Sequence, residues 1–226
     1  MDARLTRRLS IIVPTLNEAQ EIRAALDALA ALRDQGHEVI VADGGSTDET
    51  VSLARPLCDR IVQSGRGRAL QMNAGARVAA GWGLLFLHAD TRLPEGAGQS
   101  ILRALQLATW GRFDVDIIGT HPMLKLVAWT MNLRSRATGI ATGDQAIFVR
   151  RESFPGFPEI PLMEDIAFSA AMKRRASPAC LRSRVRTSGR RWESRGVLRT
   201  IALMWQLRLL YFLGMAPERL ARRYDA

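Results

Sequence analysis

The sequence predicts an α/β fold with a mostly parallel, doubly wound sheet that carries helices on both faces. In the first half of the 226-residue chain, short β-rich runs alternate with segments of helical periodicity, and the connections between them are short. That alternation is typical of a parallel sheet whose two faces are covered by helices. Hydrophobic residues make up 47% of the chain and charged residues 24%, which is the balance of a folded globular protein.

Four strands are predicted in the first half, each an apolar run followed by turn residues. They are LSIIVP (9–14), EVIVAD (38–43), RIVQS (60–64) and GLLFLH (83–88). Three helices are predicted between these strands. The first begins at an N-cap, Asn17, and ends at Gly36; the second begins at a capping box formed by Ser46 and Glu49; the third spans 69–80. In such sheets ligands bind beyond the carboxyl ends of the strands, so the residues after each strand are the candidates for a site.

The second half of the chain is less regular. Strands are predicted at 113–119, 143–150 and 181–186, and helices over 123–137 and from Glu164. A strongly apolar helical segment follows at 197–213.

The net charge of +10 is concentrated at the C-terminal end. From Lys173 onward there are 14 basic and three acidic residues, whereas the rest of the chain holds 18 basic and 19 acidic ones. This asymmetry indicates an anionic partner at that end: a phosphate-bearing ligand, a membrane surface or nucleic acid. A solvated, arginine-rich surface is the alternative interpretation.

The cysteines and the N-terminus favour a cytoplasmic protein. Cys58 and Cys180 have neither the spacing of a metal site nor that of a disulfide framework, which fits a reducing compartment. The apolar run that begins at Leu9 is cut by Pro14 and is too short for the core of a signal peptide.

Two glycine-containing segments follow predicted strands. Asp43, which ends the second strand, is followed by two glycines; its carboxylate can accept hydrogen bonds from a base or ribose, although such residues also simply make turns. Arg66 and Arg68 lie in a glycine-containing loop before a helix, where phosphates can bind. Leu70 replaces the third glycine of a dinucleotide fingerprint, so a nicotinamide or flavin site is not expected.

Carboxylates follow two further elements. Asp90 comes after the fourth strand, and a carboxylate there can bind Mg²⁺ or Mn²⁺, which would bridge the phosphates of a nucleotide leaving group. The alternative is that Asp90 caps a turn. Glu164 and Asp165 begin a helix, where one carboxylate can deprotonate an attacking hydroxyl. The alternative there is stabilisation of the helix dipole alone.

Six segments together resemble the family 2 glycosyltransferases. They are PTLNE (14–18), DGGSTDET (43–50), GRGRALQMNAGA (65–76), FLHAD (86–90), MEDIAFS (163–169) and RRW (190–192). The resemblance covers about 10–195 and depends on the order, spacing and strand-end positions of the motifs. Within the family, the chain is similar to a small bacterial branch found beside radical-enzyme and selenium-related genes.

The resemblance implies a GT-A fold, a three-layer α/β sandwich with a C-terminal helical appendage. The catalytic domain would occupy 1–195, with a nucleotide-sugar half (1–108) and an acceptor half (109–195). Residues 196–226 would form basic, amphipathic C-terminal helices. The implied activity is an inverting transfer of a sugar from a nucleotide diphospho-sugar donor to a hydroxyl acceptor.

The resemblance also implies a donor site. Pro14, Glu18 and Asp43 would line the nucleoside pocket, and Arg66 and Arg68 would lie close to the base and phosphates.

The catalytic roles that the resemblance implies fall on the later motifs. Asp90 matches the final aspartate of the family's D-x-D metal motif, and Asp165, beside Glu164, matches the general base of its E-D motif. Arg191 and Trp192 match the end of Q-x-x-R-W, which helps to hold the diphosphate or acceptor.

Two residues depart from the pattern. His88 replaces the first aspartate of D-x-D, so a Mn²⁺ or Mg²⁺ ion would be held by Asp90 alone or with His88, and by water and phosphates. Ser188 replaces the glutamine of Q-x-x-R-W.

The segment 197–213 could meet one of three partners. It is barely long enough to cross a bilayer, and each of its two internal arginines would cost about 2.5–3.5 kcal/mol near the bilayer centre. With Trp205, Tyr211 and the nearby arginines, it fits a helix lying on an anionic membrane, peripheral on the inner face. The alternatives are a helix packed on the domain or in a homodimer interface.

Two other functions compete with sugar transfer. A nucleotidyltransferase of the same fold should carry a glycine-rich, basic loop after the first strand, where this chain reads TLNEAQ (15–20). A non-catalytic nucleic-acid binder should interleave aromatic and basic residues in a known module, and the sequence has no such module. Nucleic acid is therefore not expected as a partner.

Overall fold

The computed structural model describes residues 7–225, apart from the side chains at positions 191 and 225, as an eight-stranded sheet between helices. The strands are β1 (Leu9–Thr15), β2 (Glu38–Asp43), β3 (Arg60–Gln63), β4 (Gly83–Phe86), β5 (Thr91–Arg92), β6 (Trp110–Ile118), β7 (Phe148–Arg150) and β8 (Ala179–Ser188). The helices are α1 (Ile22–Asp27), α2 (Ala30–Asp34), α3 (Thr50–Ala54), α4 (Arg68–Val78), α5 (Ala97–Leu107), α6 (Met123–Thr138), α7 (Glu164–Lys173), α8 (Arg190–Arg195), α9 (Val197–Phe212) and α10 (Pro217–Asp225).

The sheet order is β3-β2-β1-β4-β7-β6-β8-β5. The first four strands are parallel to one another, as predicted. The other half is mixed, because β7 runs antiparallel to both β4 and β6, and β5 runs antiparallel to β8. Only β6 and β8 pair in parallel there. The carboxyl ends of β1 to β4 therefore share one edge of the sheet.

Alternate residues of the central strands enter two different cores, as the two-residue period of a strand requires. Ile11 and Val13 of β1 belong to one core with residues of α1, α5 and α6. Ile12, between them, belongs to the other core with residues of α4 and α7. The sheet is thus covered on both faces, which confirms the predicted three-layer α/β architecture.

The C-terminal helices form a third apolar cluster against the start of α7. Leu207 of α9 and Leu220 of α10 are fully buried there with Met163 and Ile166. The predicted C-terminal helical appendage therefore packs on the domain beside the E-D segment. No helix within residues 7–225 is both long and apolar enough to cross a membrane.

The two predicted helix caps are wrong. Asn17 has a left-handed φ of 55°, and α1 starts only at Ile22. Ser46 and Glu49 form no capping box, because Ser46 bonds to Asp43 and α3 starts at Thr50. In both cases the polar side chains serve loop-to-loop contacts, which compete with capping.

One predicted strand is much shorter than expected, and two helices were not predicted. Of 143–150, only Phe148–Arg150 is extended, because Gly143–Gln145 forms a 3-10 turn and Ala146 has a φ of 47°. No helix was predicted at Ala97–Leu107, where glycines at the start obscure the pattern, or at Arg190–Arg195.

Candidate active site

Asp43 organises the loop that follows β2. Its Oδ2 accepts hydrogen bonds from the backbone N–H groups of Gly45 and Ser46, at 3.0 and 2.9 Å. Its Oδ1 accepts bonds from the hydroxyls of Ser46 and Thr15, at 2.5 and 3.4 Å. The side chain is buried. It therefore fixes the shape of the loop at the carboxyl edge of the sheet.

The loop after β1 is tied to the same place. The side-chain oxygen of Asn17 accepts a bond from the Thr47 N–H at 2.9 Å, and Glu18 donates its backbone N–H to the Thr50 hydroxyl at 2.7 Å. Pro14 is buried in β1, beside β2. The structure thus brings together Pro14, Glu18 and Asp43, the three predicted nucleoside-pocket residues, on adjacent segments.

Two buried polar side chains of α4 anchor its surroundings. Gln71 donates its Nε2 hydrogens to the carbonyls of Thr15 and Ala42, at 2.5 and 3.3 Å. Asn73 both donates to the Phe157 carbonyl at 2.9 Å and accepts from the Phe157 N–H at 2.8 Å. Gln71 thus holds the ends of β1 and β2, and Asn73 holds the segment 154–161 against α4.

Arg68 and Glu164 connect the two halves of the chain. Nη1 of Arg68, the first residue of α4, lies 3.6 Å from Oε1 of Glu164, the first residue of α7. Burial of Glu164, followed by the negative charge of Asp165, raises the pKa of the Glu164 carboxyl above its ordinary value, and Arg68 offsets part of the rise. Arg66, two residues before Arg68 in the chain, is exposed.

A small cavity joins the end of β4 to the start of α7. His88, Gly143, Glu164 and Asp165 contribute to its wall, with apolar side chains that include Phe157. Gly143 donates its N–H to Oδ2 of Asp165 at 2.8 Å. A Cβ at Gly143 would lie 2.6 Å from Cε1 of His88, so the turn approaches the imidazole as closely as a glycine allows.

The electrostatic surroundings of this cavity are mixed. His88 points its Nδ1 towards Asp144, with 3.5 Å between Nδ1 and Oδ1. Asp165 accepts one backbone N–H on each oxygen, from Gly143 and from Ile166 at 2.7 Å. Because each carboxylate oxygen can accept more than one bond, Asp165 keeps acceptor capacity for a hydroxyl proton.

Asp90 lies where β5 meets the end of β8. Its Oδ1 is 3.3 Å from the Thr91 hydroxyl and 3.5 Å from the Thr187 hydroxyl. Its carbonyl accepts the Ser188 N–H at 3.2 Å. The strand pairing thus brings the predicted metal ligand beside the segment 188–192, which follows it by about a hundred residues in sequence.

The segment 188–192 continues into α8. Arg190 forms an ion pair with Glu21 at 2.9 Å, and Trp192 is half-buried against the main core. Position 191 lies in α8, but the predicted role of the Arg191 side chain falls outside the described residues.

The described residues do not form a complete metal site. Among the described residues, no group of three or more His, Cys, Asp or Glu side chains could hold a metal ion. A single carboxylate oxygen donor such as Asp90 fits a hard cation whose other ligands are phosphate oxygens and water. The site would therefore be completed by the donor.

Several residues of the site were not found from the sequence. Gly143 and Phe157 line the cavity, Thr187 lies beside Asp90, and Asn73 holds the backbone of Phe157. The one available signal was a pair of amides, Gln71 and Asn73, among the small and apolar residues between Arg68 and Arg77.

The architecture and the strand-end site define a GT-A-type α/β protein. The model of the family described as Glycosyl transferase family 2 matches residues 10–154, which is more than half of the chain. The protein therefore belongs to the family 2 glycosyltransferases.

Two curated relatives come from Mycobacterium tuberculosis. A PGL/p-HBAD biosynthesis glycosyltransferase is 34% identical over 133 residues, covering 47% of this chain and 52% of the relative. Glucosyl-3-phosphoglycerate synthase is 30% identical over 148 residues, covering 61% of this chain and 37% of the relative. The chain thus spans about half the length of the first of these relatives, and less of the second.

Solved structures share the fold at low identity. S. aureus TarS 1-349 in complex with UDP superposes with a TM-score of 0.63 at 19% identity, covering 80% of this chain and 60% of that one. Mycobacterium tuberculosis glucosyl-3-phosphoglycerate synthase in complex with Mn²⁺, UDP and glucosyl-3-phosphoglycerate gives a TM-score of 0.59 at 18% identity, covering 80% and 71%. These similarities confirm the GT-A prediction.

Proposed function

We propose that the protein transfers a sugar, with inversion, from a nucleotide diphospho-sugar to a hydroxyl acceptor, and that Asp165 is the general base. The supporting observation is that Asp165, Glu164 and His88 come together around a small cavity at the carboxyl edge of the sheet. An inverting transfer needs no enzyme nucleophile. It needs a base on one side of the sugar and charge stabilisation on the other.

The reaction proceeds in one displacement. The acceptor oxygen forms a bond to the anomeric carbon while its proton passes to the Asp165 carboxylate, and the bond from that carbon to the diphosphate oxygen breaks. The hydrogen bonds from Gly143 and Ile166 orient the base for this step. The nucleoside diphosphate leaves with the bonding electrons.

The donor lies across the ends of the parallel strands. Its nucleoside contacts Pro14, Glu18 and Asp43, which neighbouring segments carry at this edge. Its phosphates lie near Arg66 and Arg68, whose positive charges stabilise the diphosphate.

The remaining motif residues assist the transfer. Arg191 supports the leaving group, while Glu164 and Trp192 contribute to the acceptor side. The solved structures of TarS in complex with UDP and with UDP-GlcNAc, which share this fold, support a donor of this class.

A divalent cation, Mn²⁺ or Mg²⁺, would be held by Asp90, with His88 as the second candidate ligand. When bound, such a cation neutralises the charge that develops on the leaving diphosphate. The Mn²⁺ in the related synthase structure supports this assignment.

Several further features that are expected from the sequence stay predictions. They are the radical-enzyme and selenodomain-associated branch, the cytoplasmic location, the homodimer, and the division at 1–108, 109–195 and 196–226. Family membership disfavours the nucleotidyltransferase alternative, and nothing in the described part of the chain favours a nucleic-acid binder.

A thermal-shift panel tests the donor and metal assignments. UDP-, GDP- and dTDP-sugars are added with Mn²⁺ or with EDTA, and we expect metal-dependent stabilisation by at least one of them. Asp90→Ala should abolish that stabilisation. Asp34→Ala is the matched control, because Asp34 is an exposed residue of α2, just before the amino end of β2. Stabilisation by none of the donors would contradict the proposal, and so would stabilisation that is as large in Asp90→Ala, or in EDTA, as in the wild type with Mn²⁺.

A further inference from the structure

Helix α9 has two apolar faces, and only one of them is covered. Leu207 is fully buried against the start of α7. On another face, residues 198, 202, 205, 209 and 212 recur at alternating spacings of four and three, which aligns them along one side of the helix. All five are exposed, including Trp205 at 73% and Phe212 at 72%.

The neighbouring helix α6 repeats this pattern. It contacts α9, and its Leu126, Trp129 and Leu133 are each about half exposed or more. Their spacing of three and four also places them on one side of a helix. We name the exposed side chains of Leu198, Trp205, Leu209, Phe212, Leu126, Trp129 and Leu133 the docking face. Exposed apolar side chains that line one side of a helix in this number usually mark an interaction site.

The charges on these two helices select the kind of partner. Neither α6 nor α9 contains an aspartate or a glutamate, whereas Lys125 and Arg199 are exposed basic residues on them. Two copies of the docking face would bring like charges together, which disfavours a homodimer through this surface. Anionic lipid headgroups would instead attract it. Trp129 and Trp205 suit the same partner, because tryptophan is enriched at membrane–water interfaces.

We propose that the docking face binds the surface of an anionic lipid bilayer, with α9 lying in the plane of the headgroups. This inference goes beyond sugar transfer and does not depend on it. It also extends the predicted membrane contact from 197–213 to α6, where no membrane contact was predicted. Because another face of α9 packs on α7, the bilayer would lie about one helix diameter, roughly 10 Å, from the E-D segment.

Vesicle co-sedimentation tests the proposal directly. The full chain is mixed with phosphatidylcholine vesicles that contain about one-third phosphatidylglycerol, and with pure phosphatidylcholine vesicles. We expect binding to the anionic vesicles that weakens when salt is raised from roughly 0.1 to roughly 0.5 M. The double variant Trp205→Glu/Phe212→Glu should bind at least about tenfold more weakly, because it places charge on the inserted face.

Two further variants make the result specific. Leu107→Glu alters a leucine of α5 that is 93% exposed, and it should bind like the wild type. Arg199→Gln should weaken binding about fivefold, because one basic residue near the surface is lost. Circular dichroism and thermal melting check that each variant is folded.

Three outcomes would overturn the proposal. One is the absence of binding to the anionic vesicles, and another is equal binding by folded Trp205→Glu/Phe212→Glu and by Leu107→Glu. The third is that the wild type does not bind vesicles but forms a concentration-dependent dimer, which the double variant does not form. A second copy of the chain would then cover the docking face. None of these outcomes bears on donor binding or transfer.

Discussion

Replacing Asn73 by alanine should release the segment 154–161 from helix α4. The Asn73 amide is buried and makes two hydrogen bonds to the backbone of Phe157, at 2.9 and 2.8 Å. Alanine can make neither bond, and the N–H and carbonyl of Phe157 would lose their partner. Because Phe157 lines the cavity that contains Asp165, the change reaches the candidate active site.

The expected loss of stability follows from those two bonds. An unsatisfied buried donor or acceptor costs about 1–3 kcal/mol, and water that reaches the loosened segment recovers part of this cost. We therefore expect the free energy of unfolding to fall by roughly 2–4 kcal/mol, measured by urea denaturation.

Hydrogen exchange separates the local effect from the global one. The Phe157 amide should lose its protection in Asn73→Ala, with faster exchange through the segment 154–161. Ser10→Ala is the matched control: Ser10 is buried, donates to Glu38 at 2.5 Å and accepts from the Gly81 N–H at 2.8 Å. It lies at the amino end of β1, away from the site. The Ser10→Ala variant should lose stability, while the Phe157 amide stays more protected from hydrogen exchange than it is in Asn73→Ala.

If Asn73→Ala kept wild-type stability and wild-type protection at Phe157, this account of the segment would be wrong.

Three other changes have defined outcomes. The raised pKa of Glu164 means that the folded protein binds this proton more tightly than the unfolded chain does. The free energy of unfolding therefore falls as the pH rises from the ordinary glutamate range towards the raised pKa. In urea titrations, Glu164→Gln should be more stable than the wild type at pH 7 and equally stable near pH 4. Gly75→Ala would place a Cβ 2.5 Å from Cγ2 of Ile12, and this overpacking should cost about 1–3 kcal/mol in the same assay. Asp43→Asn turns an acceptor-only group into one that also donates, so at least one loop bond should be lost, with a lower melting temperature and weaker donor binding.

Each of these expectations has its own contradiction. A Glu164→Gln variant less stable than the wild type at pH 7 would mean that the ion pair with Arg68 outweighs the burial of the charge. Unchanged stability in Gly75→Ala would mean that β1 and α4 adjust without strain. Wild-type donor binding in Asp43→Asn would remove Asp43 from the donor site.

The sequence predicted the parallel half of the sheet well and the rest less well. Strands β1, β2 and β4 contain continuous apolar runs, β3 is a weaker one, and the bounds of all four are correct to within about two residues at each end. The strand predicted at 143–150 was mostly wrong, because the path of this segment depends on the hydrogen bond from Gly143 to Asp165, which local propensity does not encode. Helix α5 was missed although Ile101 and Leu105 have helical spacing and are buried.

The residues of the candidate site also fall into two groups: those that the sequence identified and those that it did not. Residues that follow strands, such as Asp43 and Asp90, were identifiable because parallel strands end at one edge. Asn73 was not, since its partner Phe157 is 84 residues away in sequence. The approach of Asp90 to Thr187 likewise needed the pairing of β5 with β8, which no local pattern indicates.

The measurement that tests the central claim most directly is the release of nucleoside diphosphate by Asp165→Asn, with the donor selected in the thermal-shift panel. Glu164→Gln serves as the comparison, because it changes the adjacent carboxylate. We expect Asp165→Asn to keep the donor-induced thermal shift while its transfer rate falls by about a hundredfold or more, the usual contribution of a positioned base. Wild-type transfer by a folded, donor-binding Asp165→Asn would contradict the account.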